Sequence, residues 1–387
     1  MKKIFSVITV LVVVAVMITS CAPAATTQPP SGSAVTPPST TATSPAATAT
    51  SSAKTTPTSA PSGSAANGRV VNATPQPSTK SYTMVTVVKS IAFNWFIRMG
   101  VGITQFAADD NVKATIEGPS VADASQQVSE VEDAIASGVN AIGVDPYGVP
   151  ALEPAMKKAR DAGIVVIGQE ASTAHADTMN YDLEAFDDCA YGQEMMKQLA
   201  TRMNEQGSYI QFVGDLTNAS HMAWMSCAKD YQVKNYPKMT FIGLYESKED
   251  QPTAYNIMKN VLKAHPDVKG VLGSAAGDIV GAGQAIQEAG LQGKIATVGT
   301  SIVSYAGDLL KSGAVQLAMA WDPAAAGYAA DVVALLVLEG KPITDGMDLG
   351  VDGFHHIKLT TGSNGVPVIV GDAWIEIDKN NMDHYNF

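Results

Sequence analysis

The stretch from Val139 to Glu170, VNAIGVDPYGVPALEPAMKKARDAGIVVIGQE, restricts the fold more than any other part of the chain. A short apolar run, Val139 to Val144, ends in Asp145-Pro146-Tyr147-Gly148. Leu152, Ala155, Met156 and Ala159 follow at the spacing of one helix face, and Gly163 opens a second apolar run. This predicts a strand, a crossover helix and a parallel strand. Neither run alternates as a half-wet sheet would, so both belong in a parallel sheet covered by helices on both faces. The loops at Asp145 and at Gln169-Glu170 then share the carboxyl edge, where ligands of open α/β sheets bind.

Val268 to Thr300 repeats that plan: a strand, a loop with an acid (Asp278), a helix, a glycine and a strand ending in TVGT. Strand and helix patterns alternate from Tyr82 to Leu338, apart from a polar stretch around Asn180 to Asp187. Two further strands are expected near His356–Leu359 and Val366–Val370. The expected fold class is therefore α/β, with two Rossmann-like three-layer lobes on parallel sheets. One lobe is assigned residues 81–182 and 322–351, the other 183–321 and 352–387. A chain divided in this way crosses between lobes more than once, and multiple crossings make a hinge.

The first twenty residues read as a secretory signal: Lys2 and Lys3, an apolar core from Ile4 to Met17, then small residues. Ile18-Thr19-Ser20-Cys21 resembles the lipobox of bacterial lipoproteins, which implies lipidation of Cys21 and anchoring to the outer face of the cytoplasmic membrane. From residue 21 to about 80 the chain is mostly Ala, Thr, Ser and Pro, the composition of a disordered, extended tether. Net charge is −12, from 37 acids against 25 bases, and no cluster of bases interleaves with aromatics, so nucleic acid is not an expected partner. Cys189 and Cys227 fall in helical patterns outside the cytoplasm; a disulfide and two buried thiols both remain open.

From Tyr82 to Phe387 the order of motifs resembles the type I periplasmic sugar-binding proteins of ABC importers, and is most similar to their rhamnose and autoinducer-2 branch. VVKSIAFNWF, EGPSVADASQQV, SGVNAIGVDP, VIGQE, LKAHPDVKGVL, ATVGTS, AMAWDPAAAGYAADV and IEIDKNNMDHYNF carry the resemblance. It implies a ribose-binding-like fold, a monomer, a small-molecule ligand and a membrane permease as partner. In the autoinducer-binding members a Lys after the first strand and a carboxylate after the fourth hold the ligand. Lys89 and Glu170 match them. An Asp-Gln pair and a Pro-x-Ala turn of those proteins align here with Ser220-His221 and Ser274-Ala275-Ala276. These departures point to a pyranose or related polyol rather than that furanosyl ligand.

A sugar offers hydroxyls that donate and accept together, and C–H faces that are apolar, so it is read by carboxylates, amides and flat rings. The strand-exit loops supply Lys89, Asn94, Trp95, Phe96, Asp145, Gln169, Glu170, Ser220, His221, Ser274, Ala276, Asp278, Ser301, Trp321 and Asp322 as candidate ligand contacts. Competing roles exist: packing for Phe96, a helix cap for Asp278, hinge packing for Trp321-Asp322, a polar surface position for His221. Gly281-Ala282-Gly283 lacks the third glycine of a dinucleotide fingerprint, and the acids 345, 348 and 352 lack EF-hand spacing. No cofactor, metal or catalytic residue is expected. The rival expectations are a secreted carbohydrate-active enzyme using Glu170 with Asp145 or Lys89, and a receptor for a signalling or chemotaxis partner.

Overall fold

Short runs of Val, Ile and Ala pair edge to edge in a computed structural model that describes residues 69–387. The expected signal, Cys21 and most of the tether lie outside the described residues. The first half runs β1 (Thr83–Val87), α1 (Asn94–Asp110), β2 (Lys113–Glu117), α2 (Ala124–Ala136), β3 (Ala141–Val144), α3 (Val149–Asp161), β4 (Val165–Gln169) and β5 (Tyr181–Glu184). The second runs α4 (Asp188–Arg202), β6 (Gly207–Val213), α5 (Ala219–Asn235), β7 (Met239–Glu246), α6 (Gln251–Ala264), β8 (Val268–Gly273), α7 (Asp278–Glu288), β9 (Ala296–Thr300), α8 (Val303–Ser312) and β10 (Leu317–Ala320). Then come α9 (Pro323–Leu338), β11 (Lys358–Thr361), β12 (Pro367–Val370) and β13 (Ile375–Ile377).

The first sheet has the order β2-β1-β3-β4-β5-β12-β11 and the second β7-β6-β8-β9-β10-β13. Five strands of each therefore follow one order, 2-1-3-4-5, and the repeat seen in the sequence is β3-α3-β4 matched by β8-α7-β9. All pairs are parallel except β11 with β12 and β10 with β13, which close one edge of each sheet. Val87, Ile142, Val144, Ile210, Phe212, Val271 and Val298 are buried in these sheets. Each such side chain removed from water stabilises by about 1.5–3 kcal/mol. Helix α9 is buried all round from Pro323 to Leu336, between α1 and strands β3 and β4, as a sequence with Asp331 as its one charged residue requires. Gly102 lets α1 approach it: an added Cβ would stand 1.9 Å from the Ala324 carbonyl oxygen.

Among the described residues the chain crosses between sheets at Ala185–Asp187, at Trp321-Asp322 and at Gly371–Trp374. The first and third crossings are tied by Gly371 N–H to Glu184 O and Ala373 N–H to Ala185 O, 2.9 and 3.0 Å.

Four expectations need correction. The polar stretch 180–187 contains a strand, β5, whose Asp182 and Glu184 are buried, so charge hid the apolar signal. Residues 358–370 belong to the first sheet, because β12 pairs with β5; the second lobe regains the chain only at β13, not at residue 352. The first of the two late strands begins at Lys358, and His355 lies in the preceding turn between Asp348 and Asp352, at 2.9 and 3.2 Å. Residues 69–80, placed in the tether, pack on the first lobe. Val71 is buried, Ala73 bridges to Val351, and the Arg69 guanidinium pairs with Asp109 at 2.7 Å. In the second lobe Cys189 and Cys227 form a disulfide between α4 and α5.

Candidate functional site

Parallel strands leave their last residues and the following helix starts on one edge, and here the two edges face each other. Lys89 follows β1, Asp145 follows β3 and Glu170 follows β4, all in the first lobe; Glu249 lies in the loop from β7 to α6 of the second. The Lys89 ammonium stands 3.2 Å from Asp145 Oδ1, 2.9 Å from Glu170 Oε2 and 3.4 Å from Glu249 Oε1, with only 3% of its side chain exposed. Burial works against the lysine's charge, but the three carboxylates outweigh it and hold the pKa well above its ordinary value. Lys89 is therefore a fixed cation, not a nucleophile or base. Burial pushes Asp145 well above the usual carboxylate range despite Lys89, and pushes Glu249 up as well.

His221, in the first turn of α5, points its Nε2 toward Glu170 Oε2 at 3.8 Å. Burial, then the Lys89 charge, hold its pKa well below the ordinary value, so the ring is neutral. Asn218 caps that turn by accepting from the His221 N–H, as Asp250 caps α6 through Thr253. Glu170, Lys248 and Glu249 adopt left-handed backbone, φ 54°, 60° and 54°, a strain of about 1–2 kcal/mol per residue. Two of these three residues carry carboxylates that meet Lys89.

A cavity of about 210 Å³ opens beside this centre. That is below the roughly 300–1,000 Å³ of sites for drug-sized ligands, so it suits a small one. The sequence-chosen residues Lys89, Trp95, Phe96, Glu170, His221, Ser274, Ala276 and Trp321 line it. The edge of Trp95 meets Trp321 at 4.6 Å between centroids, and Phe186 and Trp374, from the other two crossings, complete an aromatic cluster behind them. Phe96 is both core and wall. His221 is buried rather than a surface residue.

Seven other candidates do not reach the wall. Asp145 stands behind Lys89. The Asn94 backbone N–H donates to the Tyr305 hydroxyl at 2.7 Å, joining the lobes. Gln169 borders a space of about 10 Å³ behind Trp321, room for one water. Ser220 donates to Glu184 at 3.1 Å. Asp278 opens α7 and accepts from Ser274 and Ala275 N–H at 3.0 and 2.8 Å, fixing the turn rather than capping the helix; burial pushes it to about 7. Ser301 donates to the Ala276 carbonyl. Asp322 caps α9 through the Ala324 N–H and pairs with Arg98, 2.8 and 2.6 Å.

Phe93, Glu249, Asp250, Gln251, Pro252, Thr300 and Tyr305 line the cavity without having been singled out. The loop after β7 carried a readable signal, since it is the one strand exit in the second lobe with adjacent acids, Glu249-Asp250. Tyr305 had none: it reaches the site from the first turn of α8. Among the described residues no group of His, Cys, Asp or Glu is arranged to hold a metal, and no helix is long and apolar enough to cross a membrane.

Comparison with known proteins agrees with this architecture. The D-ribose/D-allose-binding protein of Pseudomonas aeruginosa is 26% identical over 59% of this chain and 73% of its own. An ABC transporter solute-binding protein from Clostridium phytofermentas, solved with bound L-rhamnose, superposes with a TM-score of 0.72 at 21% identity over 79% of this chain and 98% of its own. LsrB from Clostridium saccharobutylicum, solved with AI-2, gives 0.73 at 19% identity over 79% and 100%. Residues 84–342 match the model of the periplasmic binding protein domain, and with both lobes, their shared strand order and the hinge accounted for, the chain belongs to that family.

Proposed function

We propose that this protein captures a monosaccharide or related polyol between its lobes and delivers it to an ABC importer. The observation that carries the reading is the cavity itself. Its wall takes a cation and a carboxylate from the first lobe, two carboxylates and a neutral imidazole from the second, and tryptophan from α1 and from a hinge crossing. A ligand touching both lobes stabilises only the closed state, so binding and closure are one equilibrium. The names of the relatives, which bind ribose, allose, rhamnose and AI-2, support a small hydroxylated ligand. Lipidation at Cys21, a monomeric receptor and a place on the outer face of the cytoplasmic membrane belong to the same reading.

Turnover finds less support. A hydrolytic pair needs two carboxyl groups facing one substrate. Here Asp145 lies behind Lys89, Glu170 and Glu249 are both held on that lysine, and Asp250 caps α6. Calorimetry and tryptophan emission with pyranoses, pentoses and polyols test the proposal, since Trp95 and Trp321 line the cavity. The expected result is saturable binding with a shift in emission and the ligand recovered unchanged; a panel with no binder, or a ligand returned hydrolysed, overturns it.

A further inference from the structure

Gly148 is a glycine that its own backbone does not need. It precedes α3 with φ −153° and ψ 116°, an extended conformation open to any residue. What excludes a side chain is the other lobe: an added Cβ would stand 2.5 Å from Thr217 Oγ1, in the loop from β6 to α5. Neither partner is free to give way. The Gly148 loop is fixed by the fully buried Gln127 of α2, whose amide donates to the Asp145 carbonyl at 2.7 Å and accepts from the Tyr147 N–H at 2.9 Å. The Thr217 hydroxyl and N–H both donate to Asp215 Oδ1, at 2.5 and 2.7 Å, and the Leu216 N–H donates to Glu246 at 3.0 Å. Ala219, at the start of α5, packs on the first lobe's apolar cluster, to which Val144, Val149 and Leu152 belong. The two lobes therefore seat on each other here. The place is remote from the hinge: β3 stands two strands from β5, and β6 three from β10, so roughly 10–14 Å separate it from the strands at the crossings. Gly148 and Thr217 do not line the cavity.

We propose that Gly148 and Thr217 form the lip at which the cleft shuts, and that the missing Cβ of Gly148 sets ligand affinity without touching the ligand. This rests on the capture reading above and adds to it a positioning residue outside the cavity. A ligand is enclosed only when both lobes meet, so a side chain that props the lip open weakens binding through the closing equilibrium.

Two arms test this on the intact protein. In the first, Gly148→Ala is titrated by calorimetry with D-ribose, D-allose, L-rhamnose, D-glucose and D-galactose. The sugar that the wild type holds tightest should bind about tenfold more weakly, the scale of an overpacked contact, with the ligand-free thermal transition unmoved. Thr217→Ala in the same chain removes the clashing oxygen and should bring affinity back to within about threefold of the wild type, which a merely structural loss would not do. Wild-type affinity in Gly148→Ala, or no recovery with Thr217→Ala, overturns the inference and leaves sugar capture standing. A panel with no binder for the wild type overturns both. The second arm needs no ligand and stands should Gly148→Ala fail to fold. A Cβ at position 148 would lie 3.5 Å from Thr217 Cβ, a disulfide's spacing, so Gly148→Cys with Thr217→Cys should crosslink on mild oxidation, read by mass spectrometry as one joined peptide. Thiols that stay free under oxidation overturn the inference.

Discussion

In the first lobe α1 and α9 cross at Gly102; in the second α4 and α5 cross at Gly192, where an added Cβ would stand 2.2 Å from the Trp224 carbonyl oxygen. The strand orders match as well, so both halves solve the same packing problem with a glycine at the first helix of each. They are braced differently. The second lobe locks its helix pair covalently through Cys189–Cys227. The first has instead the strap of residues 69–78, held by Arg69 on Asp109 and by the Gln105 side chain on the Val71 backbone at 2.8 and 2.9 Å. Their edges differ too. The first lobe brings the cation and two of the acids; the second brings a single acid, Glu249, to the same ammonium. Closure thus places a second-lobe carboxylate on a first-lobe charge, so the lobes are alike in frame and complementary in chemistry.

The sharpest way to break that complementarity is Lys89→Met. It leaves three buried carboxylates from both lobes facing one another, and removing one partner of a buried charge cluster costs about 3–5 kcal/mol. Chemical denaturation at pH 7 should show a midpoint lowered accordingly. Part of the loss should return on acidification, as the carboxylates take up protons, or with Glu249→Gln in the same chain. A variant as stable as the wild type would mean that this centre does not join the lobes.

Second in size is the covalent brace. Replacing both Cys189 and Cys227 by Ala opens a loop with a sequence separation of 38 and is expected to cost about 2–4 kcal/mol. Hydrogen exchange sharpens the comparison: protection should fall in α4 and α5 and stay unchanged in α1 and α9. Equal losses in both pairs would show that the lobes do not hold their helices independently.

Much of this frame was legible in the sequence because parallel strands buried on both faces read as unbroken apolar runs, and Gly163 and Gly290 end the helices between them with positive φ. The repeat at Asp278 was visible for the same reason. What escaped was structure whose signal is tertiary. β5 reads as polar because Asp182 and Glu184 are buried in a site of other acids, and residues 358–370 do not announce which sheet they join. At the cavity, strand-exit position together with the family resemblance found Lys89, Glu170 and His221, and strand-exit position found Trp321. It also gathered Asp145, Ser220 and Asp278, whose side chains serve neighbours instead of the wall. Glu249 was missed because the loop after β7 was passed over, and Tyr305 because a helix, not a strand, delivers it.

Each lobe also buries a carboxyl group that forms no salt bridge among the described residues, and here the difference between lobes should be smaller. Burial pushes Asp331 of α9 to about 8 and Asp278 of α7 to about 7. Both values lie above those of the unfolded chain, so between about pH 4 and pH 8 the native state holds protons that the unfolded chain has released, and stability falls as pH rises. Asp278 accepts two backbone N–H donors on Oδ2 and leaves Oδ1 without a partner, as Asp331 leaves its Oδ2. Asp331→Asn should therefore stabilise by about 1–2 kcal/mol at pH 8 and flatten the profile, and Asp278→Asn, whose amide oxygen can keep both N–H donors and whose carboxyl is raised less, should gain less. Denaturation midpoints from pH 5 to 8 for both variants decide it; a larger gain from Asp278→Asn would reverse the ranking.

The smallest effect belongs to the strap. Arg69 is about a third exposed and its pair with Asp109 is shared with the Tyr328 hydroxyl, which donates to the same carboxylate at 3.0 Å. A part-exposed ion pair contributes about 0–1 kcal/mol, so Arg69→Ala should leave the global midpoint nearly unchanged. Its consequence is local. The Gln105 contacts and the Ala73–Val351 bridge remain, but the end of the strap nearest the tether is freed, and limited proteolysis should cut between residues 69 and 80 sooner than in the wild type. Cutting at the same rate would assign the hold to Val71 and Gln105. Faster cutting together with a falling midpoint would make the strap part of the first lobe's core, and its noncovalent brace a closer counterpart of the second lobe's disulfide than the single ion pair suggests.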